Sequence, residues 1–510
     1  MKTKKQLLGT LALVLAAFVT VFGQQPSELM TFEEAMQIMA KQNPALQRAK
    51  QQIKQKEFEV KSKKGLYLPQ VAVSAKAVAM SDMLHLDLSP VADAVTPLYN
   101  TLGTYGVFSG VPNPDPATNG VMPVLPDEMS TAIVRQKMLD AGEQVAAAEW
   151  DQVIQEKNFA TVTADFMWPL LAGGKINGAN QAAEVELGLS KEEMRATEGA
   201  MLTELASRYY GLALAIQVAE VRKQMASTME KHYADAQKLY DNGMIARVEL
   251  LHASVSLNEA KRELNQAQRN IEIVRSGLTA TLLLDSSQFV LPASKLFINK
   301  SLPEVSWWVA SAKAENPLLK QIEGKKELVN IKSKVDKGSY LPTIAMMGTY
   351  NLAEKNLSPY APDWVVGAGL KWTLFNGMTR RNTIKAGETM KSQVAFAEQK
   401  AHADIEAYLT KLYNELQMQM EQKKELESTM ELAQEYYSST EKAFKEGLAT
   451  SSSVVEAYTK ISQVKALQLK VLYDYDVALA RFVQTAGVPE QYIQLCAGEN
   501  TIVETLPEEN

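Results

Sequence analysis

The chain has 510 residues, of which 46% are hydrophobic and 22% charged, and its formal net charge is −6. This length allows a sizeable core and two to four ordinary domains. The negative charge argues against nucleic acid as a natural partner, because nucleic-acid binding needs a concentrated basic face. The only cysteine is Cys496, so no disulfide can form within the chain.

The first 23 residues have the pattern of a secretory signal peptide. Lys2, Lys4 and Lys5 precede an apolar run over residues 7–22, and Gly23 ends a short cleavage site. A membrane anchor is the alternative, but the run is short for a spanning helix, which needs about 20 apolar residues. Removing the peptide also removes three lysines and leaves a net charge of −9. No later stretch approaches ~18 consecutive apolar residues, so a membrane role would have to use β-strands.

The chain contains an internal repeat, which is the first feature to test for in a long sequence. Each copy has an Asn-Pro pair, a Leu-Pro pair 25 residues later, a tryptophan, and a glycine 75 residues after the tryptophan. We assign the copies to residues 24–285 and 286–488, followed by a tail at 489–510. The matched landmarks are Asn43-Pro44 and Asn316-Pro317, Leu68-Pro69 and Leu341-Pro342, Trp168 and Trp372, and Gly243 and Gly447.

The two copies differ mainly between Leu-Pro and the tryptophan, where the first copy is longer by 69 residues. We place this insertion at residues 82–150. It includes the turn-rich stretch "PNPDPATNG" and the start of a helix-like run from Glu128 to Glu156. A plug, a lid, a receptor surface and a tolerated loop are the alternative roles.

Each copy also predicts two short strands. In "WVVGAGLKWTLF" (364–375) apolar residues alternate with small or polar ones, and residues 161–170 of the first copy alternate in the same way. A strand on a soluble core would show this pattern too. However, Trp364 and Trp372 share a face about 26 Å apart, which resembles the ~25 Å apolar band between the aromatic girdles of outer-membrane barrels. We therefore predict that Trp364, Trp372 and Trp168 lie at a membrane interface.

Long helices are predicted on both sides of each glycine. About 65 helical residues precede each glycine and would extend about 100 Å, so they need parallel or antiparallel partners. After Gly243 the apolar positions alternate in steps of three and four, as in a coiled-coil seam. Eight of the nine equivalent positions in the second copy stay apolar or aromatic. Gln468 is the exception; it either fixes the helix register or turns toward water. The first seam consists of Leu250, Ala253, Leu257, Ala260, Leu264, Ala267, Ile271, Val274 and Leu278.

Four predicted strands are too few to close a barrel, since even the smallest filled barrels need about eight. Strands that span a membrane cannot leave open edges in lipid, so closure would require several copies of the chain. The small or polar face of the strands would then line a water-filled lumen. The predicted fold is mainly α, with long coiled-coil helical hairpins and a β-barrel portion.

The order of these landmarks, given twice, resembles the TolC-like family of outer-membrane channels of efflux and type I secretion systems. The resemblance covers residues 30–487, and its most recognisable pieces are "LYLPQ", "WTLFNGMTRR", "KEGLAT" and "LARFVQTAG". It implies a homotrimer with a twelve-stranded barrel in the outer membrane and a helical tunnel, or α-barrel, through the periplasm. It also implies a periplasmic adaptor and an inner-membrane pump, of the RND or ABC type, as partners.

The resemblance implies an aperture at the periplasmic end of the tunnel, ringed by acidic side chains just after the second glycine. Those acids match Ser453 and Glu456, and only Glu456 keeps the charge. One carboxylate ring in a trimer would repel anions and attract cations. The alternative is that Ser453 and Glu456 form a capping box at a helix start.

The family's aperture is closed by polar links, and this chain keeps few of them. Phe444 stands in place of a linking tyrosine and lacks the hydroxyl, and Ala449 stands in place of a linking arginine. Glu249 keeps the acidic partner, whereas Val248 offers no side-chain acceptor. We therefore expect a gate that is looser or held in a different way.

The turns themselves match the glycine-apolar pairs at which adaptor tips dock in the family. These pairs are Gly243-Met244 and Gly447-Leu448; a helix C-cap is their alternative role. At the other end of the long helices, Gly173, Gly174 and Gly377 are predicted strand-to-helix elbows. "LAGGK" lacks the spacing of a phosphate-binding loop.

No catalytic constellation is apparent, and no cofactor is expected. His85, His232, His252 and His402 lack a second ligand at metal-site spacing, so no metal site is predicted. The resulting hypothesis is a passive outer-membrane exit duct for drugs, metals, polysaccharide or protein. An exported periplasmic coiled-coil adaptor or scaffold is the alternative, and an enzyme is disfavoured.

Overall fold

The structure is a computed structural model that describes residues 28–285, 290–498 and 501–503. The predicted signal peptide lies outside these residues. Eleven helices occur in the described part of the chain. They are α1 (Phe32–Gln42), α2 (Pro44–Lys64), α3 (Ser89–Tyr105), α4 (Asp127–Ala147), α5 (Lys175–Asp241), α6 (Arg247–Leu282), α7 (Val305–Glu315), α8 (Pro317–Gly338), α9 (Thr379–Lys445), α10 (Ser451–Ala486) and α11 (Gln491–Ala497).

The same residues form ten strands. They are β1 (Glu28–Met30), β2 (Gln70–Ala79), β3 (Leu84–Asp87), β4 (Asp151–Gln155), β5 (Asn158–Ala172), β6 (Val290–Pro292), β7 (Phe297–Asn299), β8 (Thr343–Lys355), β9 (Trp364–Lys371) and β10 (Thr501–Val503).

The internal repeat is visible in the helix lengths. Helices α5 and α9 each have 67 residues, and α6 and α10 each have 36. Every boundary of the second pair lies 204 residues after its equivalent in the first. At ~1.5 Å per residue, a 67-residue helix extends about 100 Å. The structure thus confirms the predicted repeat and the length of its helices.

The chain divides into two compact units that cut across the repeats. Among the described residues, a helical unit comprises those within 28–63, 177–337 and 377–503, and a sheet unit comprises residues 64–176 and 338–376. Each unit therefore takes segments from both copies of the repeat.

The two Asn-Pro pairs in the helical unit begin helices. Asn43 precedes α2 and accepts from the backbone N–H of Ala45 at 2.8 Å, and Asn316 precedes α8 and accepts from that of Leu318 at 2.9 Å. The proline that follows each asparagine occupies the first helical position, where its missing N–H costs nothing. The repeated Asn-Pro is thus an asparagine cap followed by a proline start.

The core of the helical unit is rich in aromatic side chains. Phe32 stacks on Tyr210 with ring centroids 5.2 Å apart and meets Tyr209 edge to face at 5.4 Å. The Tyr209 hydroxyl donates to the Met30 carbonyl at 2.6 Å, which satisfies its buried polar end. Two small sheets complete this region, a parallel pair β1–β6 and an antiparallel pair β7–β10. These three-residue strands were not predicted, because they are too short to show a periodicity.

The predicted seam is buried or half-buried along its whole length. On α10 the eight apolar or aromatic seam residues are buried, while Gln468 is half-buried. The Gln468 amide donates to the Leu426 carbonyl of α9 at 3.2 Å. Gln468 is therefore a polar seam residue that links α10 to α9, and it is not turned toward water.

The sheet unit contains one antiparallel sheet of four strands in the order β2-β5-β8-β9. Its edges are β2 and β9. Strand β9 ends at Lys371, so Trp372 follows the strand and the predicted extension to residue 375 was wrong. Within the described residues, no helix is both long and apolar enough to cross a lipid bilayer.

The insertion contains strand β3 and a pair of helices, and β4 follows directly after it. Strands β3 and β4 pair antiparallel, and α3 and α4 pack closely at glycines, since a Cβ on Gly103 would lie 2.7 Å from Leu139 Cγ. Helix α4 ends at Ala147 and β4 follows. The predicted helical run to Glu156 was therefore too long, because residues 151–155 pair with β3 as a strand instead.

A buried carboxylic acid lies in the core of the helical unit. Asp476 is 0% exposed, and neither carboxylate oxygen has a hydrogen bond of normal geometry in the described part of the chain. Burial raises the pKa of Asp476 well above its ordinary value, and the backbone N–H of Phe297 offsets this only in part. Asp476 is thus held in its neutral, protonated form near the pH at which free carboxylates ionise.

This burial predicts how the stability of the chain depends on pH. Because the folded chain keeps a proton that the unfolded chain loses, the free energy of unfolding falls as pH rises above ~4, by up to ~1.4 kcal/mol per unit. We expect Asp476→Asn to raise the melting temperature at pH 8 and to change it little at pH 4, as measured by circular dichroism. Asp474→Asn, at an exposed position that pairs with Lys470, is the control. A gain that is equal at both pH values would contradict the prediction.

Candidate functional site

Both long helical hairpins turn through the same backbone motif. Gly243 and Gly447 have φ of 71° and 72°, a left-handed conformation that glycine adopts without strain. The N–H of Met244 donates to the Leu239 carbonyl, and that of Leu448 to the Ala443 carbonyl, both at 2.8 Å. These bonds, with those of the glycine N–H groups, are the Schellman pattern of a helix C-terminus.

The residue after each glycine is apolar and exposed. Met244 is 55% exposed and Leu448 is 78% exposed. In many Schellman turns this residue packs back onto the helix, so its exposure leaves an apolar surface at the turn. The turns are helix C-caps, the alternative role considered for them, and each also carries an exposed apolar side chain.

A small apolar cluster, which we call the turn cluster, joins the two hairpins of the chain next to these turns. It contains one buried residue from each long helix: Ala236, Ala253, Phe444 and Val454. Phe444 is 2% exposed. Its ring thus lies inside the chain and holds the hairpins together.

Polar contacts beside the turn cluster connect three helices. Glu249, in the first turn of α6, accepts from the backbone N–H of Ser451, the first residue of α10, at 2.7 Å. The Ser451 hydroxyl lies 2.8 Å from Nε2 of His232 on α5. A carboxylate at a helix N-terminus is stabilised by the helix dipole and by the free N–H groups there. Glu249 therefore caps α10 from the other hairpin.

His232 is buried and packs against Phe444, with ring centroids 4.8 Å apart. Burial lowers the pKa of His232 from its ordinary 6.5. Asp235 on its own helix, Glu249 on α6 and Glu441 on α9 raise that pKa, and His252 lowers it further. The balance keeps the imidazole neutral near pH 7.

Sequence reasoning found Glu249 and Phe444 but missed Ser451 and His232. His232 lies one helical turn before Ala236, and Ser451 opens the helix that the second repeat predicts. Those positions indicate that both residues face the hairpin contact, but they do not reveal that the two side chains meet across 219 residues of chain.

The candidate gate residue Glu456 lies one turn into α10. The cap of this helix is Thr450, whose hydroxyl accepts from the N–H of Ser453 at 3.3 Å. Ser453 is therefore not a helix cap, and the predicted capping box of Ser453 and Glu456 was wrong. The Glu456 side chain is exposed and makes no hydrogen bond or ion pair with the described residues.

The elbow glycines lie where strands lead into long helices. Gly173 and Gly174, between β5 and α5, have φ of 58° and 78°, and Gly377, before α9, has φ of 64°. A Cβ on Gly173 would lie 2.7 Å from the Gly338 carbonyl oxygen. Only glycine fits both this backbone conformation and this close approach.

Three tryptophans of the sheet unit, Trp168, Trp364 and Trp372, are exposed. Trp168 and Trp372 each donate through Nε1 at 3.0 Å to the carbonyl of the tyrosine before Leu-Pro, Tyr67 and Tyr340 respectively. Trp364 opens β9 and is 64% exposed. An aromatic ring with a satisfied N–H suits the boundary between lipid and water.

The remaining histidines belong to no cluster of possible metal ligands within the described residues. Among the described residues, no three His, Cys, Asp or Glu side chains come together in a way that could hold a metal ion. His85 of the insertion has Asp151 at 3.2 Å.

The contacts at the turns predict the effect of removing Glu249. A hydrogen bond to a charged group contributes about 1.5–3 kcal/mol, so its loss should lower local protection by about 10- to 100-fold. We expect Glu249→Ala to speed amide hydrogen exchange in residues 447–455, measured by mass spectrometry. Glu456→Ala is the matched control and should leave this segment unchanged. Equal exchange in both variants would contradict the prediction.

His232 predicts an effect of acid on the same segment. Because its folded pKa is lowered, its contribution to stability is present above pH ~6.5 and is lost as pH falls through the folded pKa. We expect protection of residues 447–455 to decrease from pH 7.5 to pH 5, after correction for intrinsic exchange. His232→Gln, which keeps an amide for the Ser451 hydroxyl but does not titrate, should remove this dependence. A dependence that persists in His232→Gln would show that another group causes it.

Comparison with known proteins identifies a family and a relative with similar sequences. The model of the family described as outer membrane efflux protein matches residues 139–282 and 308–488, more than half of the chain. Protein CyaE of Bordetella pertussis (strain Tohama I) is 21% identical over 257 residues, which are 47% of this chain. The chain spans about half, 54%, of the length of CyaE in this match.

The fold is similar to that of solved channels. The outer membrane protein VceC of Vibrio cholerae has a TM-score of 0.64 at 13% identity, over 90% of this chain and 96% of VceC. The Campylobacter jejuni CmeC outer membrane channel has a TM-score of 0.63 at 12% identity, over 94% of each chain. The chain belongs to the outer membrane efflux protein family.

Proposed function

We propose that the chain is one third of a passive, trimeric exit duct that carries substrates from the periplasm or an inner-membrane pump to the exterior. The observation that carries the proposal is that one chain contains both two equal helical hairpins, each of a 67- and a 36-residue helix, and a four-stranded sheet open at both edges. The direction of transport comes from the pump, because no energy source is expected in the duct.

The open edges of the sheet support assembly. Strands β2 and β9 each leave one side of the strand without a partner in the sheet. Unpaired backbone groups are not tolerated in lipid, so β2 of one copy would pair with β9 of the next. Three copies supply twelve strands, which is enough to close a barrel.

The two faces of the sheet suit lipid and water. Asp165 of β5 lies on the small and polar face and accepts from the Thr349 hydroxyl of β8 at 3.0 Å. Trp168 and Trp364 belong to the opposite, apolar faces of their strands and are exposed. A polar inner face with an apolar outer face is the pattern of a membrane barrel around water.

The turns supply surfaces for the partners. The exposed Met244 and Leu448 side chains beside the Schellman glycines would receive the tips of a periplasmic adaptor, which connects the duct to an RND or ABC pump. An apolar side chain at a rigid, solvent-exposed turn loses little entropy on docking, which favours such a contact. Outer-membrane lipid surrounds the sheet unit.

Glu456 is the residue proposed to line the aperture. Its carboxylate is exposed and unpartnered among the described residues, so it is available to the lumen. In a trimer it would form one ring of three negative charges, which attracts cations. Two contacts fix the helix end that carries this ring. Thr450 caps α10, and the N–H of Ser451 donates to Glu249.

The assembly is tested by fractionation and mass measurement. We expect the chain in the outer-membrane fraction, and light scattering of the detergent-extracted protein should give three times the mass of one chain. A monomer in the soluble periplasm would contradict the duct and favour a periplasmic adaptor or scaffold.

The aperture is tested by single-channel recording in planar bilayers. We expect Glu456→Gln to weaken block by divalent cations and to reduce cation selectivity, because the ring of charge is removed. Glu446→Gln, an exposed position at the end of α9, is the control and should behave as the original chain. Unchanged block in Glu456→Gln would exclude Glu456 from the pore.

A further inference from the structure

The insertion presents a row of large apolar side chains along α3. The row consists of Val91, Val95, Leu98, Leu102 and Tyr105, in steps of four, three, four and three residues. Leu98 is 58% exposed, Tyr105 is 76% exposed, and Val95 is half-buried. This spacing is that of a coiled-coil seam, so the row lies on one face of α3.

The row does not face α4, the neighbouring helix of the insertion. The contact between α3 and α4 forms at glycines: Gly103 of α3 lies against Leu139 of α4, and Gly142 of α4 lies against Tyr99 and Asn100 of α3. A helical pair in water normally places its large apolar residues between the helices and its polar residues outside. Here a glycine from each helix forms the contact, and the row of large apolar side chains stays exposed outside it, which indicates a further partner for α3.

Charge distinguishes the two sides of the pair. Helix α4 carries six charged residues, whereas α3 carries only Asp93. An α4 surface of this kind is solvated. The α3 row has no lysine or arginine, which a helix lying on an anionic lipid surface would present.

We propose that the α3 row packs against the α3 row of a second copy of the chain. The inference rests on the proposed assembly of three copies. Seam spacing is complementary to a helix with the same spacing, and the row repeats once per copy. Every copy brings its insertion to the same end of the sheet, since the Met80 N–H bonds to the Lys157 carbonyl where β2 and β5 lead into it.

The location makes this contact favourable. Strand β2 is an open edge of the sheet, and the insertion follows directly from it. Pairing of β2 with a neighbouring copy would hold two α3 helices near each other at a high effective concentration, on the order of mM. A modest apolar row is enough for association under these conditions.

Disulfide trapping tests the contact. We expect Leu98→Cys, within the row, to form a covalent dimer under mild oxidation of the membrane-embedded protein, as judged on non-reducing gels. Tyr105→Cys, at the end of the row, is a second variant in case the first folds poorly. Thr104→Cys is the matched control, because Thr104 is exposed on the same helix but points away from the row. We expect cross-linking at least about tenfold faster in the row than at the control.

The mass of each variant in detergent is measured as well, so that loss of the α3 contact can be distinguished from loss of the trimer. Trimers in which the row and control cysteines cross-link at equal rates would overturn the α3 contact and leave the duct intact. A row cysteine that cross-links to a different protein would also overturn it, since the partner is then not a second copy. Failure to form trimers in the original chain would instead overturn the proposed duct.

Discussion

The continuous apolar seam of the long helices is the constraint on which the rest of the structure depends. A 67-residue helix cannot fold back on itself, and an isolated helix in water gains little from its own hydrogen bonds. Its stability comes from burying an apolar stripe against partners along most of its length. Ala253, Leu257 and Ala260 do this on α6, and Val454, Ala457 and Ile461 do it at the equivalent positions of α10.

This constraint also decides where polar groups can lie. Along the seam, a polar side chain needs a partner, as Gln468 has in the Leu426 carbonyl. At the turns the helices end and leave free N–H groups, so Glu249 can cap α10 from the other hairpin. The turns therefore combine an apolar cluster inside the chain with charged and apolar side chains at its surface. At the start of α10, Ser451 stabilises the contact between the two hairpins, and Glu456 presents an exposed carboxylate.

The sheet unit differs from the helical hairpins, because it does not bury its apolar residues within the chain. Its four strands satisfy one another, but β2 and β9 remain edges, and the apolar face of the sheet carries exposed residues such as Val71, Trp168 and Val366. A soluble sheet of this size would cover one face with helices. Exposed apolar faces and open edges are stable only in an assembly or in lipid, in agreement with the family to which the chain belongs. The insertion also exposes apolar residues, in the row on α3.

The sequence by itself determined the repeat, the helix lengths, the turns and the seam. Each of these depends on local periodicity or on single residues with strong backbone preferences, such as Gly243 and Gly447. The elbows at Gly173 and Gly377 were readable for the same reason. The family followed from the same landmarks, and the expectation of export followed from the signal-peptide pattern of the first 23 residues.

Only the tertiary structure decided the pairings between distant segments. The three-residue strands form because β6 and β7 meet segments near the two ends of the chain, and nothing in a three-residue stretch indicates its partner. The meeting of His232 with Ser451 depends on how two hairpins pack, as does the burial of Phe444. Thr450 replaced the expected cap because the position of a helix end is set by the turn before it. Local chemistry fixes what each segment can be, and packing between hairpins decides which side chains meet.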